Sequence, residues 1–140
     1  MRSRLLVARL TAGLRARAIL RVVETRGGFG AVLRRGDETA GDLLLRIAAP
    51  DGTVDLYAPA TLADGTAGWM RLGQPGYADA AAADAAIARA STRDPDLWVL
   101  DLEPSPPGFP LDEPVTDGRP TAEPDPTLAA AEALFRPRRR

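Results

Sequence analysis

The sequence has no cysteine, no histidine and no lysine, so all 18 of its basic residues are arginine. Without cysteine there is no disulfide, thiolate metal site or cysteine nucleophile. Without histidine and lysine, a Ser-His-Asp triad, a His-ligated zinc and a Schiff-base lysine are excluded. Any chemistry would depend on carboxylates, hydroxyls, arginines or a hard cation such as magnesium. These absences favour a protein without catalytic activity, and neither a cofactor nor a metal ion is expected.

Long apolar runs are also missing. The opening stretch MRSRLLVARL has a short apolar run, but Arg9 interrupts it, and arginines continue through the segment that follows. It therefore lacks the core of a signal peptide, and the chain contains no apolar stretch of membrane-spanning length. We expect a cytoplasmic protein without a membrane contact, and the 140 residues predict one domain.

The net charge of −1 conceals a strong asymmetry along the chain. Residues 1–36 carry nine arginines and one glutamate, a net charge of +8, whereas residues 37–135 carry five arginines and eighteen acids, a net charge of −13. Residues 136–140 add four arginines. This pattern predicts ion pairs within the molecule, and the basic ends permit contact with an anionic partner.

Two segments have helical periodicity. Residues 10–26 place apolar side chains at helical spacing, with Arg17 and Arg21 on the opposite side, and Gly27-Gly28 follows as a stop signal. Residues 78–92 are rich in alanine and end before Asp94-Pro95. The small side chains of this second helix would allow it to lie close to a sheet.

Five segments are predicted to be strands: residues 29–35, 43–48, 53–58, 67–72 and 97–103. Asp51-Gly52 and Asp64-Gly65 are typical of tight turns, so an antiparallel meander is expected. The sequence thus predicts an α+β fold of order α-β-β-β-β-α-β, in which both helices cover one face of an antiparallel sheet of about five strands. The expected core residues are Ile19, Leu20, Val23, Val32, Leu44, Leu56, Trp69, Ile87, Trp98 and Leu100.

The composition changes after Glu103. Most of the thirteen prolines lie between residues 104 and 127, where few large apolar side chains occur. The sequence therefore predicts a domain over residues 1–103 and a disordered Pro-rich tail over 104–140. Within this tail, residues 127–135 form a possible short helix, and a basic end follows.

The first candidate site is the stretch VLRRGDETAGDLLL, residues 32–45. It brings arginines and acids together between two apolar runs. In one interpretation, these charged residues and the helix arginines form a binding patch. In the other, Gly36 and Gly41 shape a hairpin turn whose charges are only solvated. Arg34 and Arg35 then face either Asp101 and Glu103 or an outside partner. The candidate binding residues are Arg34, Arg35, Asp37, Glu38, Arg17 and Arg21.

The second candidate site is the carboxylate set Asp94, Asp96, Asp101 and Glu103. Paired acids can hold magnesium or act as general acid and base. Alternatively, Asp94 and Asp96 shape the turn before the strand, and the other two pair with arginines. Trp69 and Trp98 could stack nucleic-acid bases, although their apolar neighbours favour the core.

Three stretches carry a family resemblance: LRVVETRGGFGAVLRRGDETAGDLLL, GWMR at 68–71 and DPDLWVLDLE at 94–103. In these motifs the sequence, from about residue 9 to 103, resembles the bacterial domain-of-unknown-function family 1491. The resemblance implies a small cytoplasmic domain and carries no catalytic assignment.

The expectation from the sequence is therefore a non-catalytic adaptor that binds a protein partner not identified by the sequence. One alternative is association with RNA or the ribosome through the basic ends, in particular Arg136, Arg138, Arg139 and Arg140. A less favoured alternative is a magnesium-dependent hydrolase that uses the carboxylate set. The sequence does not predict the oligomeric state.

Overall fold

The computed structural model describes residues 10–117, except the side chains of Gln74 and Pro75. Two helices and six strands lie in this part of the chain: α1 (Ala12–Thr25), β1 (Phe29–Arg34), β2 (Leu43–Ala48), β3 (Val54–Thr61), β4 (Ala67–Tyr77), α2 (Ala80–Arg93), β5 (Trp98–Glu103) and β6 (Val115–Thr116). The predicted α+β class and element order are confirmed through β5, and β6 is an additional strand.

Both helices begin at a side-chain cap. The Thr11 hydroxyl accepts a hydrogen bond from the Leu14 amide at 3.3 Å, and the Asp79 carboxylate accepts one from the Ala82 amide at 2.9 Å. Each cap satisfies an amide that has no partner within the helix. At the other end of α1, Gly27 has a φ of 93°, which only glycine adopts without strain.

The meander of β2, β3 and β4 is confirmed. Residues 49–53 and 62–66 close its two turns, with amide-to-carbonyl hydrogen bonds of 2.8 Å from Ala49 to Thr53 and from Leu62 to Thr66. Gly52 and Gly65 both have positive φ, as the Asp-Gly signals predict. Because these loops are short, each strand pairs with the next one in antiparallel fashion.

The sheet as a whole is mixed, so the prediction of a purely antiparallel sheet is wrong. Its strand order is β1-β5-β2-β3-β4-β6. β5 lies between β1 and β2, antiparallel to β1 and parallel to β2. The eight residues of the crossover loop, 35–42, make this order possible. They only need to span two strand spacings, about 10 Å.

The helices lie on opposite faces of the sheet, so their predicted placement on one face is also wrong. α1 packs with Leu43, Leu45 and Trp98, whereas α2 packs with Leu44 and Val99 from the same two strands. β2 and β5 are central and carry apolar residues on both faces at these positions. Because each face then needs a cover, the two helices separate.

The segment from residue 104 to 117, here called the strap, runs along the α1 face. Phe109 packs on Tyr57 with ring centroids 4.7 Å apart, and the Trp69 indole donates a hydrogen bond to Glu113 at 2.7 Å. β6 then pairs with β4. The first fourteen residues of the predicted tail thus lie on the domain. The rest of the tail, including 127–135 and the basic end, is outside the described residues.

Nine of the ten predicted core residues are buried or packed against the core. Seven are buried, and Leu20 and Ile87 are partly buried. Val32 is the exception, with 41% of its surface exposed, so that prediction is wrong. The physical reason is the sheet order, which makes β1 an edge strand with β5 on one side only.

Candidate interaction surface

The crossover loop encloses the side chain of Trp98. The Trp98 indole donates a hydrogen bond to the Asp37 carbonyl at 2.7 Å, and the Asp37 amide donates one to the Asp96 carbonyl at 3.0 Å. The Trp98 amide donates to the Asp42 carbonyl at 2.8 Å. The loop is therefore attached to the start of β5 at both of its ends, and the predicted hairpin between β1 and β2 does not form.

Gly36 and Gly41 serve this attachment by close approach. Neither has a positive φ. A methyl group on either one would overlap the carbonyl oxygen of Asp96 and crowd the Trp98 ring. Both positions require glycine because the loop lies directly against the backbone before β5. The turn conformation that the sequence suggested is not the cause.

The side chains of Arg34 and Arg35 are turned towards the domain, where they do not meet Asp101 or Glu103. Arg34 donates hydrogen bonds to the carbonyls of Leu97 at 2.7 Å and Pro95 at 3.0 Å. The Arg35 guanidinium lies over the Trp98 ring, 5.4 Å from its centroid. Both arginines thus help to fix the start of β5, which is a different role from that of a free binding patch.

Glu38 connects the crossover loop to α1. Its carboxylate accepts hydrogen bonds from Arg17 at 3.3 Å and Arg35 at 3.4 Å, and its carbonyl accepts one from the Gly13 amide at 2.9 Å. Asp37 accepts hydrogen bonds from two amides of its own loop through its carboxylate. Of the six candidate binding residues, five are thus engaged within the domain, whereas the exposed Arg21 side chain forms no hydrogen bond or ion pair with another described side chain.

The four candidate acids do not share a cleft. Asp94 caps the turn after α2 by accepting a hydrogen bond from the Asp96 amide at 3.1 Å, and Asp101 pairs with Arg46 at 3.1 Å. Asp96 lies in the turn before β5, and the extended chain from residue 98 to Asp101, about 10 Å long, separates the two. Within residues 10–117, no group of three or more acids could hold a metal ion. This geometry offers no basis for the magnesium-dependent reaction.

Arg46 joins three elements beside these acids. Its side chain is only 14% exposed and reaches Asp101 on β5 and Asp84 on α2. The Asp84 contact, at 3.5 Å, is an ion pair without hydrogen-bond geometry, and the buried Nε of Arg46 has no hydrogen-bond partner among the described residues. The stronger bond is therefore the one to Asp101.

An exposed apolar surface lies along β1. Phe29 is 60% exposed, Leu33 54% and Val32 41%. Phe29 pairs with Glu103, which places its side chain on the α2 face of the sheet, whereas Val32 pairs with Leu100 of the α1-side core and therefore lies on the opposite face. α2 packs over β3 and β4, so neither of the described helices covers this end of the α2 face. We call the three exposed side chains and the free backbone edge of β1 the β1 edge.

Charges of opposite sign mark the two ends of the β1 edge. Glu103 lies beside Phe29 at one end, and Arg34 follows Leu33 at the other. Neither side chain forms an ion pair with another described residue. A third feature is a bulge between Val32 and Arg34, where the pairing with β5 shifts its register.

A polar cluster on the α1 face was not predicted from the sequence. Arg71 pairs with Asp117 at 2.9 Å and with Asp55 at 3.6 Å, and the Tyr57 hydroxyl donates to Asp55 at 3.4 Å. Burial, together with the charge of Asp55, raises the pKa of Tyr57 from 10.0 to about 12. These residues come from three separate stretches of the chain. The sequence pattern places only Asp55 and Tyr57, two residues apart in β3, on the same face of a strand.

The fold and this surface define the class of protein: a small α+β domain whose mixed sheet has one apolar edge that no described strand pairs with. A model of a protein family of unknown function, DUF1491, matches residues 10–108. The chain therefore belongs to the DUF1491 family. The resemblance inferred from the sequence motifs is thus confirmed.

Solved structures of relatives agree with this assignment. A crystal structure of a DUF1491 family protein from Caulobacter crescentus CB15 is 34% identical, with a TM-score of 0.67, and the match covers 76% of this chain and 98% of that one. An NMR structure of a DUF1491 family protein from the same organism is 33% identical, with a TM-score of 0.64, and covers 76% and 96%.

A solution structure of a protein from A. tumefaciens is 32% identical with a TM-score of 0.57, and the match covers 68% of this chain and 86% of that one. No curated protein matches the chain. Within residues 10–117, neither helix has the length and apolar character that a membrane crossing requires.

Proposed function

We propose that this protein is a non-catalytic binding module that recognises another protein through the β1 edge. The observation that supports the proposal is the exposure of Phe29 and Leu33 on a strand that has no pairing partner on its outer side among residues 10–117. Unpaired edges of this kind accept an extended segment of a partner as an additional strand. Main-chain hydrogen bonds would provide affinity, and the exposed side chains would provide selectivity.

The surface differs from the one that the sequence favoured. Arg34 and Arg35 fix the crossover loop and β5, so reversing their charges would disturb the fold as well as any interface. Phe29 and Leu33 are better sites for substitution because they contribute little to the core. The RNA alternative depends on basic ends that lie outside the described residues, and no described feature favours it.

The test is photo-crosslinking in cell extract of the native host. A photoreactive amino acid at residue 29 should give a discrete covalent adduct with one protein, and the same group at Leu14, which is exposed on α1, should not. The captured protein is then purified and its Kd measured by calorimetry. Loss of two exposed contacts in Phe29→Ser/Leu33→Ser should weaken binding by about tenfold or more.

The matched control is Val115→Ser, which removes an apolar side chain of similar exposure, 39%, from the opposite edge of the sheet. It should leave the Kd unchanged. Equal binding by the wild type and the Phe29→Ser/Leu33→Ser variant would exclude the β1 edge as the binding surface. Adducts that contain only RNA would favour the alternative function.

A further inference from the structure

We infer that residues 1–9, MRSRLLVAR, pack into a groove between α1 and the strap. The groove is open at the surface and has a volume of about 290 Å³. It lies on the α1 face, beside the strap that pairs with β4, whereas the β1 edge is at the other end of the sheet. The inference therefore concerns a second surface and does not depend on the proposed function.

The groove has an apolar floor. On the helix side Ala18, Ile19 and Val22 lie along one flank of α1, at the spacing of neighbours on a helix surface. On the strap side Leu111 packs against the α1-side core and stays partly exposed. Val22 is also only partly buried, and Ala18 is exposed. Further apolar side chains placed here would remove this surface from water, which is favourable.

The path of the chain identifies the occupant. Leu10, the first described residue, also lines the groove, so the residues before it begin at the groove itself. The apolar run 5–7 ends three residues before Leu10. Four residues of extended chain, from Leu6 to Leu10, span about 13 Å. Ala18 lies about 9 Å along the axis from Ala12, where α1 begins. Leu6 can therefore reach the middle of the groove.

The charges agree with this occupant. Residues 1–9 contain three arginines and no acid. The strap side of the groove carries Asp112 and Glu113, whereas the helix side carries Arg15 and Arg26. The Asp112 side chain is 94% exposed although it pairs with Arg26 at 3.5 Å, so it has room for a second guanidinium. The arginines of residues 1–9 are therefore expected along the strap.

The other apolar segment outside the described residues, TLAAAEALF at 127–135, fits less well. Nine residues, 118–126, separate it from Asp117, whereas only residues 8 and 9 separate the run 5–7 from Leu10. A shorter tether gives a higher effective concentration at the groove. Residues 127–135 also contain Glu132, which the acids of the strap would repel.

The first test uses two-dimensional methyl NMR spectra of the full chain. Leu5→Ser/Leu6→Ser should shift the methyl signals of Ile19, Val22 and Leu111, because these side chains lose their apolar neighbours. The signals of the α2-side core should not move, which also verifies that the variant is folded. The matched control is Leu128→Ser/Leu134→Ser, which removes the same two side-chain types from residues 127–135 and should shift none of these signals.

The second test uses the absence of native cysteine, which allows one pair to be introduced at a time. Ala18 and Arg17 are both exposed neighbours on α1, but they point about 100° apart, and only Ala18 lines the groove. In a glutathione buffer, Leu6→Cys/Ala18→Cys should form its disulfide with an effective concentration at least about tenfold higher than Leu6→Cys/Arg17→Cys.

Unchanged methyl signals in Leu5→Ser/Leu6→Ser, or equal effective concentrations for the two cysteine pairs, would overturn the inference. Shifts caused by Leu128→Ser/Leu134→Ser would overturn it in favour of residues 127–135. Groove signals of the wild type that move on dilution would overturn it in favour of a second copy of the chain. None of these results changes the capture of a partner at residue 29, so the proposed function is tested separately.

Discussion

At position 36 the backbone before β5 leaves no room for a methyl group. Gly36→Ala would push the crossover loop away from Asp96 and Trp98. We expect the free energy of unfolding to fall by about 1–3 kcal/mol, the usual cost of an overpacked site. Urea denaturation followed by tryptophan fluorescence measures this change.

Gly65→Ala is the control for that variant. Gly65 has a φ of 86° and open space around it, so alanine there meets backbone strain without a clash. It should cost about 1 kcal/mol. A loss at residue 36 no larger than the loss at 65 would show that the loop can move away from Asp96 freely.

The raised pKa of Tyr57 predicts a loss of stability at alkaline pH. In the unfolded chain the phenol ionises near 10.0, but in the folded protein it retains its proton to about pH 12. The unfolded state therefore releases this proton first, and unfolding becomes easier as the pH rises from about 10 towards about 12. Below that range the phenol contributes no pH dependence.

Urea denaturation across this pH range measures the effect, with Tyr57→Phe as the control. The phenylalanine variant lacks the ionisable group, so its stability should fall less steeply with pH than that of the wild type. Parallel pH profiles for the two proteins would show that Tyr57 is not the group responsible.

At the scale of the elements, Arg46 links α2 to the sheet through two unequal contacts. The Asp101 contact has a hydrogen bond at 3.1 Å, so Asp101→Asn should lower the free energy of unfolding by about 1–3 kcal/mol. The Asp84 side chain is exposed, and its contact with Arg46 is an ion pair without a hydrogen bond. Asp84→Asn should therefore lower the free energy of unfolding by less than about 1 kcal/mol. Thermal unfolding of both variants makes the comparison. Equal losses would contradict this ranking.

The strap is a structural part of the domain, because its residue Phe109 packs against the rings of Tyr57 and Trp69. Phe109 is only partly buried, so Phe109→Ala should lower stability by about 2–3 kcal/mol, at the low end for loss of an aromatic ring. Val115→Ala on β6 is the control, with a small effect expected. If both substitutions proved neutral, the strap would not contribute to the core.

Strand identity was predictable because alternation and turn residues are local signals. Asp51-Gly52 and Asp64-Gly65 determine which strands pair in the meander. The position of β5 was not predictable in this way, since a strand pattern reports which faces are buried but not which strands are neighbours. The apolar residues on both faces of β5 indicate a central strand, but they do not show which strands lie beside it.

The candidate site was predictable only in part. The sequence identified the crossover loop as a place where charges gather, but hydrogen bonds from Arg34 to carbonyls leave no trace in residue patterns. The exposure of Val32 and Phe29 depends on the sheet order, which the sequence did not determine. The family was recognisable because three motifs recur in order.

At the scale of the whole molecule, the basic first third meets the acidic remainder at exposed positions. Arg17 and Arg35 pair with Glu38, and Arg26 pairs with Asp112. Exposed pairs contribute little and are screened by salt. Glu38→Gln should therefore lower the free energy of unfolding by at most about 1 kcal/mol in low salt, with the loss shrinking as salt is added.

Urea titrations of the wild type and Glu38→Gln at low and high sodium chloride measure that difference. Asp42→Asn, a nearby acid with no ion pair among the described residues, is the control and should show no salt-dependent loss. A loss at residue 38 that is the same in both salts would contradict an origin in the ion pairs with Arg17 and Arg35.

The placement of β5 has a consequence for the order of events during folding. The meander can form from contacts close in sequence, but among the described strands β1 pairs only with β5, about seventy residues later. β1 must therefore wait until residue 103 is available before it can pair, and until then its apolar side chains are unprotected. In pulse-labelling experiments, the amides of β3 should become protected before those of β1, and the β1 edge is then the stretch most at risk of capture while the chain is incomplete.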